Sequence, residues 1–171
     1  MYTYLQKIKT GTKAPDFCLL NQEEEPVSLS FFHGNWLVLF FYPRDNTPSC
    51  ARLIKHFSDQ IHVFETMNTR VVGISRNAVK SHVNFINKHS LHCMLLSDPQ
   101  REAILKYHAW GKKRHADFKH VGVKRTTYII DPNGLIQYRF QNIKIAFHSD
   151  EVLTKLSQLQ GTLSPESSLE S

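Results

Sequence analysis

Seven consecutive residues, WLVLFFY from Trp36 to Tyr42, carry no charge and no alternation of apolar with polar side chains. A strand with one face in water alternates, so a run like this belongs to a strand covered on both faces, as parallel strands inside α/β sheets are. It is far short of the roughly 20 apolar residues that cross a bilayer. The next segment, PRDNTPS, is polar and turn-rich. After it Leu53, Ile54, Phe57, Ile61, Phe64 and Met67 recur at three- and four-residue steps. That spacing predicts one long amphipathic helix over about 49–68, with Ser49 as its N-cap. Cys50 stands at this strand-to-helix junction.

The rest of the chain continues the alternation. RVVGIS at 70–75 reads as a strand, and Asn77 to His89 as a helix with Val79, Val83 and Ile86 on its apolar stripe. HCMLLSD is a further short strand, and Asp98 with Pro99 opens a helix over about 100–107. RTTYIID and LIQYRF flank DPNG, whose asparagine and glycine suit a tight hairpin. Ser149 to Gln160, with Val152, Leu153, Leu156 and Leu159, predicts a closing helix, with fraying past Gly161. The order is that of an α/β protein with a central mixed β-sheet and helices on both faces, thioredoxin-like in outline. At 171 residues the chain suits one domain, placed at 1–160, followed by a flexible polar tail at 161–171.

Composition narrows the function. With 41% hydrophobic and 21% charged residues the chain is an ordinary soluble globular protein. No apolar stretch follows the lysines of MYTYLQKIKTGTK, so no secretory signal is read and a cytoplasmic location is expected, with no membrane partner. Three cysteines, Cys18, Cys50 and Cys93, are too few for a disulfide framework and fit a reducing compartment. The net charge of +6 owes much to GKKRHADFKHVGVKR at 111–125, read as a solvated basic loop. Its lysines and arginines lack interleaved aromatics beyond Phe118, so nucleic acid is not expected as a partner. HSLHC at 89–93 and the pair His115 and His120 lack four-ligand spacing, and no glycine-rich phosphate loop occurs. Neither a metal nor another cofactor is expected.

The chemistry gathers at Cys50. Near the first turn of a helix, unpaired backbone N–H groups and the positive end of the dipole favour thiolate over thiol. Thr47 lies three residues earlier, where its hydroxyl can reach the same pocket, and Pro43 can shield it. Cys18 and Cys93 read as small core residues of short strands. With these residues in place the chain resembles the peroxiredoxins of the AhpC/TSA superfamily, and within them the bacterioferritin comigratory protein or peroxiredoxin Q group. KAPDFCLLNQEEEPVSL, LFFYPRDNTPSC, SHVNFINKHSLHCMLLSDP and GVKRTTYIIDPNGLI carry the resemblance, in the family's order.

The resemblance implies that Cys50 is the peroxidatic cysteine, Thr47 the hydroxyl residue, Pro43 the shielding proline and Arg125 the arginine that faces the sulfur. It implies a thiol-dependent peroxidase in antioxidant defence, acting on hydrogen peroxide and organic hydroperoxides. Many relatives place a resolving cysteine five residues after the peroxidatic one, where this chain has Lys55; others place it on the next long helix, and 77–89 has none. The expectation is a one-cysteine cycle in a monomer, with thioredoxin or glutathione with glutaredoxin as reductant. Two alternatives from other classes are a peroxide sensor whose oxidised Cys50 signals to a protein partner, and a module that binds anionic surfaces through 112–125.

Overall fold

The structure, a computed structural model, describes residues 8–115 and 118–163; the side chains of 113–115, 118–120 and 162–163 lie outside that description. Its strands are β1 (Cys18–Leu20), β2 (Pro26–Ser28), β3 (Trp36–Phe41), β4 (Thr69–Ser75), β5 (Met94–Ser97), β6 (Trp110–His115), β7 (Phe118–Val123), β8 (Thr126–Ile130) and β9 (Ile136–Phe140). Its helices are α1 (Pro48–Asp59), α2 (Ile61–Thr66), α3 (Val79–His89), α4 (Glu102–Lys106) and α5 (His148–Leu163). Seven strands form one mixed sheet in the order β2-β1-β5-β4-β3-β8-β9, and β6 with β7 makes a separate hairpin.

The non-alternating run behaves as its composition requires. All six residues of β3 are buried, and they divide between two cores. Leu37, Leu39 and Phe41 join one core with Ala103, Ile104 and Tyr107 of the α4 region, while Trp36, Val38 and Phe40 join the other with α1, α3 and α5. Each large apolar side chain so covered contributes roughly 1.5–3 kcal/mol. β3 pairs in parallel with β4 and antiparallel with β8, placing Phe41 opposite Thr126. The chain leaving β3 and the chain entering β8 therefore meet at one end of the sheet.

Several elements differ from their sequence reading. The expected long helix breaks at Gln60, whose backbone leaves helical geometry (φ −104°, ψ 11°) while its side chain bonds Ser149 and Asp150 at the start of α5. Helix α4 starts only at Glu102, because Arg101 has a left-handed φ of 60°. Asp98 caps it from a distance, its carboxylate accepting from the N–H groups of Glu102 (2.7 Å) and Ile104 (2.9 Å). The stripe on α3 buries His82 and Phe85 rather than Val83. The basic stretch expected as a loop is the β6–β7 hairpin, paired from Trp110–Val123 to His115–Phe118. The DPNG turn forms as read: the Asp131 carboxylate accepts from Asn133 and Leu135, and Gly134 adopts a φ of 83°. Helix α5 runs to Leu163, past its expected end at Gln160. The remainder of the expected tail, from residue 164, lies outside the described residues.

Gly73 connects the sheet to α1. It sits beside Phe40 across the β3–β4 ladder, and a Cβ built there falls 2.6 Å from Phe40 Cζ and 3.0 Å from Leu95 Cδ2. Phe40 in turn stacks on Phe57 of α1, ring centroids 4.9 Å apart, so its ring has nowhere to go. Gly73→Ala is expected to lower stability by about 1–3 kcal/mol, overpacking outweighing the gain from stiffening the unfolded chain. Urea unfolding should show a lower midpoint at unchanged slope; an unchanged midpoint would mean the Phe40–Phe57 stack is free to shift.

Candidate active site

Cys50 is the third residue of α1. Pro48 occupies the first helical position, where its missing N–H costs nothing and its fixed φ is already helical. The N-cap is therefore Thr47, in extended geometry (φ −89°, ψ 142°), and not Ser49 as the sequence suggested. At the third position the Cys50 N–H has no acceptor within the helix, so a polar group and the positive end of the dipole lie beside the sulfur.

Across the sheet end comes Arg125, the residue before β8. Its Nη2 donates to Ser49 Oγ at 2.7 Å and to Cys50 Sγ at 3.5 Å. The antiparallel register of β3 with β8 brings these residues together although 75 positions separate them. Ser49, assigned a capping role from sequence, instead orients the guanidinium.

The other expected site residues divide. Pro43 is half-buried and lines the same cavity as Ser49 and Arg125. The Thr47 hydroxyl donates to the Arg44 carbonyl at 3.1 Å and makes no bond to the sulfur. The thiol itself is not open to solvent: Cys50 is fully buried, and the cavity ends over it at Ser49 and Arg125. Trp110 lines that cavity too, with Arg76 and Arg101 over its ring.

Neither remaining cysteine joins the site. Cys93 is buried, as expected, and burial pushes its thiol up to about 12, so it stays protonated. Cys18, expected in the core, is exposed, because its neighbours Phe17 and Leu19 take the inward positions along β1. Two strands, β5 and β4, stand between β1 and β3, which puts Cys18 about 14 Å from the strand leading to Cys50. Among the residues whose side chains are described, no group of three His, Cys, Asp or Glu converges; those of His115 and His120 lie outside the description.

Sequence reasoning missed what fixes the loop between β3 and α1. Asp45 is buried, and its carboxylate accepts from Tyr42 Oη (2.6 Å) and Ser81 Oγ (2.8 Å) and faces His82 Nδ1 at 2.7 Å. His82 Nε2 lies 3.1 Å from the Leu96 carbonyl, and the Asp45 N–H donates to Asn77 Oδ1. Burial, and then the Asp45 carboxylate, hold the Tyr42 phenol well above its usual range, so it remains a donor. One signal was present: the histidine at 82 falls three residues after Val79 and three before Phe85, on the buried side of the helix.

Comparison with known proteins now decides the family: the model of the AhpC/TSA family matches residues 10–139. The chain belongs to the AhpC/TSA family. A Helicobacter pylori protein named putative peroxiredoxin bcp is 39% identical over 152 residues, 89% of this chain and 100% of the relative. A Xylella fastidiosa PrxQ with one cysteine changed to serine superposes with a TM-score of 0.83 at 29% identity, covering 90% of this chain and 98% of that one. The bacterioferritin comigratory protein of Xanthomonas campestris, described for its alkyl peroxide reduction, gives 0.79 at 28%, covering 84% and 91%. Within the AhpC/TSA family the chain is a peroxiredoxin of the Bcp and peroxiredoxin Q group, with a thioredoxin-like α/β fold and cysteine-based, thiol-dependent peroxidase chemistry. These relatives support the enzyme and give no support to a sensor.

The Asp45 network is testable apart from any chemistry. Asp45→Ala takes the shared carboxylate from the Tyr42 and Ser81 hydroxyls and from beside His82 Nδ1, at about 1–3 kcal/mol for each group left unpaired. Chemical denaturation should find this peroxiredoxin destabilised by at least about 3 kcal/mol; a loss under 1 kcal/mol would show that water or a shifted loop replaces the carboxylate.

Proposed function

We propose that Cys50 is the peroxidatic residue of a one-cysteine cycle. The Cys50 thiolate attacks one oxygen of the peroxide in line with the O–O bond. As that bond breaks, negative charge grows on the departing oxygen, which leaves as water or an alcohol, and the sulfur becomes sulfenic acid. Donors aimed at the developing charge each contribute a few kcal/mol in comparable sites. Arg125 and the Cys50 N–H are those donors, Thr47 adds its hydroxyl once it turns from the Arg44 carbonyl, and Pro43 screens the sulfur from water. The single observation carrying the reading is the Arg125 guanidinium donating to both Ser49 and the Cys50 sulfur at the head of α1.

Resolution is external. Cys93 stays protonated and buried, Cys18 sits at a distance on β1, and α3 carries no cysteine. Thioredoxin, or glutathione with glutaredoxin, supplies the second thiol. Hydrogen peroxide is the substrate, and the alkyl peroxide reduction of the Xanthomonas relative supports organic hydroperoxides as well. Among the described residues no helix is long and apolar enough to cross a membrane, and a reducing cytoplasm would provide the thiols. The large exposed apolar side chains, among them Phe31, Leu105, Val121 and Phe147, are scattered over separate elements, which supports a monomer.

Intact mass after one equivalent of hydrogen peroxide tests the cycle. Wild type and the Cys18→Ser/Cys93→Ser double variant should each gain one oxygen, Cys50→Ser should gain none, and excess small thiol should sustain many turnovers. A loss of two hydrogens in wild type, absent from the double variant, would reveal an internal disulfide and overturn the one-cysteine scheme.

A further inference from the structure

The cavity above Cys50 is much larger than a peroxide molecule. It encloses about 1020 Å³, room for on the order of 30 waters, and among the described residues it is lined by Arg44, Arg76, Lys112, Lys124, Arg125 and Arg139 and by no aspartate or glutamate. Among the described residues none of these six lies within salt-bridge distance of a carboxylate. Two acids near these cations in sequence are turned away: Asp45, next to Arg44, is consumed by Tyr42, Ser81 and His82, and Asp131 by its own turn. Nε of Arg125 and Nε of Arg139 are buried without a hydrogen-bond partner. His108 in the same wall is pushed below the usual imidazole range, by burial and then by the charge of Arg139. Such an uncompensated field within low-dielectric walls concentrates anions.

We propose that this cavity is the binding site of the resolving reductant, and that it selects a small thiol bearing carboxylate groups. The inference rests on the one-cysteine reading, which requires the second thiol to come from outside. Its chemistry balances: the incoming thiolate attacks the sulfur of Cys50 sulfenic acid, a disulfide bond forms, the S–O bond breaks, and hydroxide leaves and takes a proton to become water. A second thiolate then attacks the outer sulfur, releasing the small-molecule disulfide and the Cys50 thiolate. The attacking species is an anion in both steps, so the cationic wall acts on the reacting atom as well as on the carboxylates. A peroxide is neutral at its reacting end and, of these six cations, gains from Arg125 alone.

Lys112 and Lys124 offer the means of testing this. Both are exposed, and the Lys124 stem crosses Gly111, a Cβ there falling 2.9 Å from its Cε. Cys50 sulfenic acid, formed with one equivalent of peroxide, is mixed in a stopped-flow cell with cysteamine, 2-mercaptoethanol or 3-mercaptopropionate, and rates are expressed per thiolate. The anionic thiol should exceed the cationic one by about tenfold or more at low salt, and the ratio should collapse at high salt. Lys112→Glu/Lys124→Glu should reverse the order. Equal rates per thiolate in wild type, or a salt-independent ratio, overturns the proposal without need of any variant. So does a charge preference confined to the oxidising step, seen with an anionic hydroperoxide against tert-butyl hydroperoxide, or reduction by a protein dithiol alone. If no thiol of any kind reduces the sulfenic acid, the peroxidase cycle itself fails.

Discussion

The pairing of β3 with β8 is the contact on which the site depends. Antiparallel register sets Phe41 opposite Thr126, so the residue before β8 and the first turn of α1 share one end of the sheet. Arg125 can then reach a sulfur 75 residues away with the 2.7 Å bond to Ser49 as its guide. A register slip of one residue would turn every side chain of β8 to the opposite face. The polar partners on the two faces of β8 oppose that slip: Tyr128 Oη donates to the Tyr107 carbonyl on one side, and Thr127 Oγ1 meets His148 Nε2 on the other.

Packing carries the same order into the loop that precedes Cys50. Phe40 stacks on Phe57, which seats α1 on the sheet, and Asp45 anchors the polar segment to α3 through Ser81 and His82. The thiol is thereby held under a cap of Ser49 and Arg125 rather than laid open. Turning Asp45 inward also keeps its carboxylate away from the neighbouring Arg44, one of the cations that line the cavity.

Much of this is visible in the sequence wherever a pattern is local. The β3 run, the α1 periodicity and the DPNG turn follow from nearest-neighbour chemistry, and the strand–helix junction announces Cys50. What depends on partners far along the chain is not legible. The break at Gln60 arises with Ser149 and Asp150, some 90 residues on. His82 counts as polar in any hydrophobic pattern and is buried only because Asp45 and the Leu96 carbonyl receive it. Ser49 looked like a cap until Pro48 took the first helical position, and Cys18 faces outward because Phe17 and Leu19 have the stronger claim to the core. The basic stretch at 111–125 shows its charge but not its pairing, since a hairpin with glycines at both Gly111 and Gly122 has little apolar alternation to betray it.

The central claim is that Arg125 and the head of α1 stabilise charge on a departing oxygen, a form of help that a peroxide receives and an alkylating agent does not. The direct measurement compares the rate of Cys50 with hydrogen peroxide against its rate with iodoacetamide, in wild type and in Arg125→Met. The account predicts that the wild-type ratio exceeds that of a free thiol by at least about a hundredfold, and that Arg125→Met loses most of the excess while alkylation changes far less. A wild-type ratio equal to that of a free thiol, or equal losses for both reagents in the variant, would contradict it.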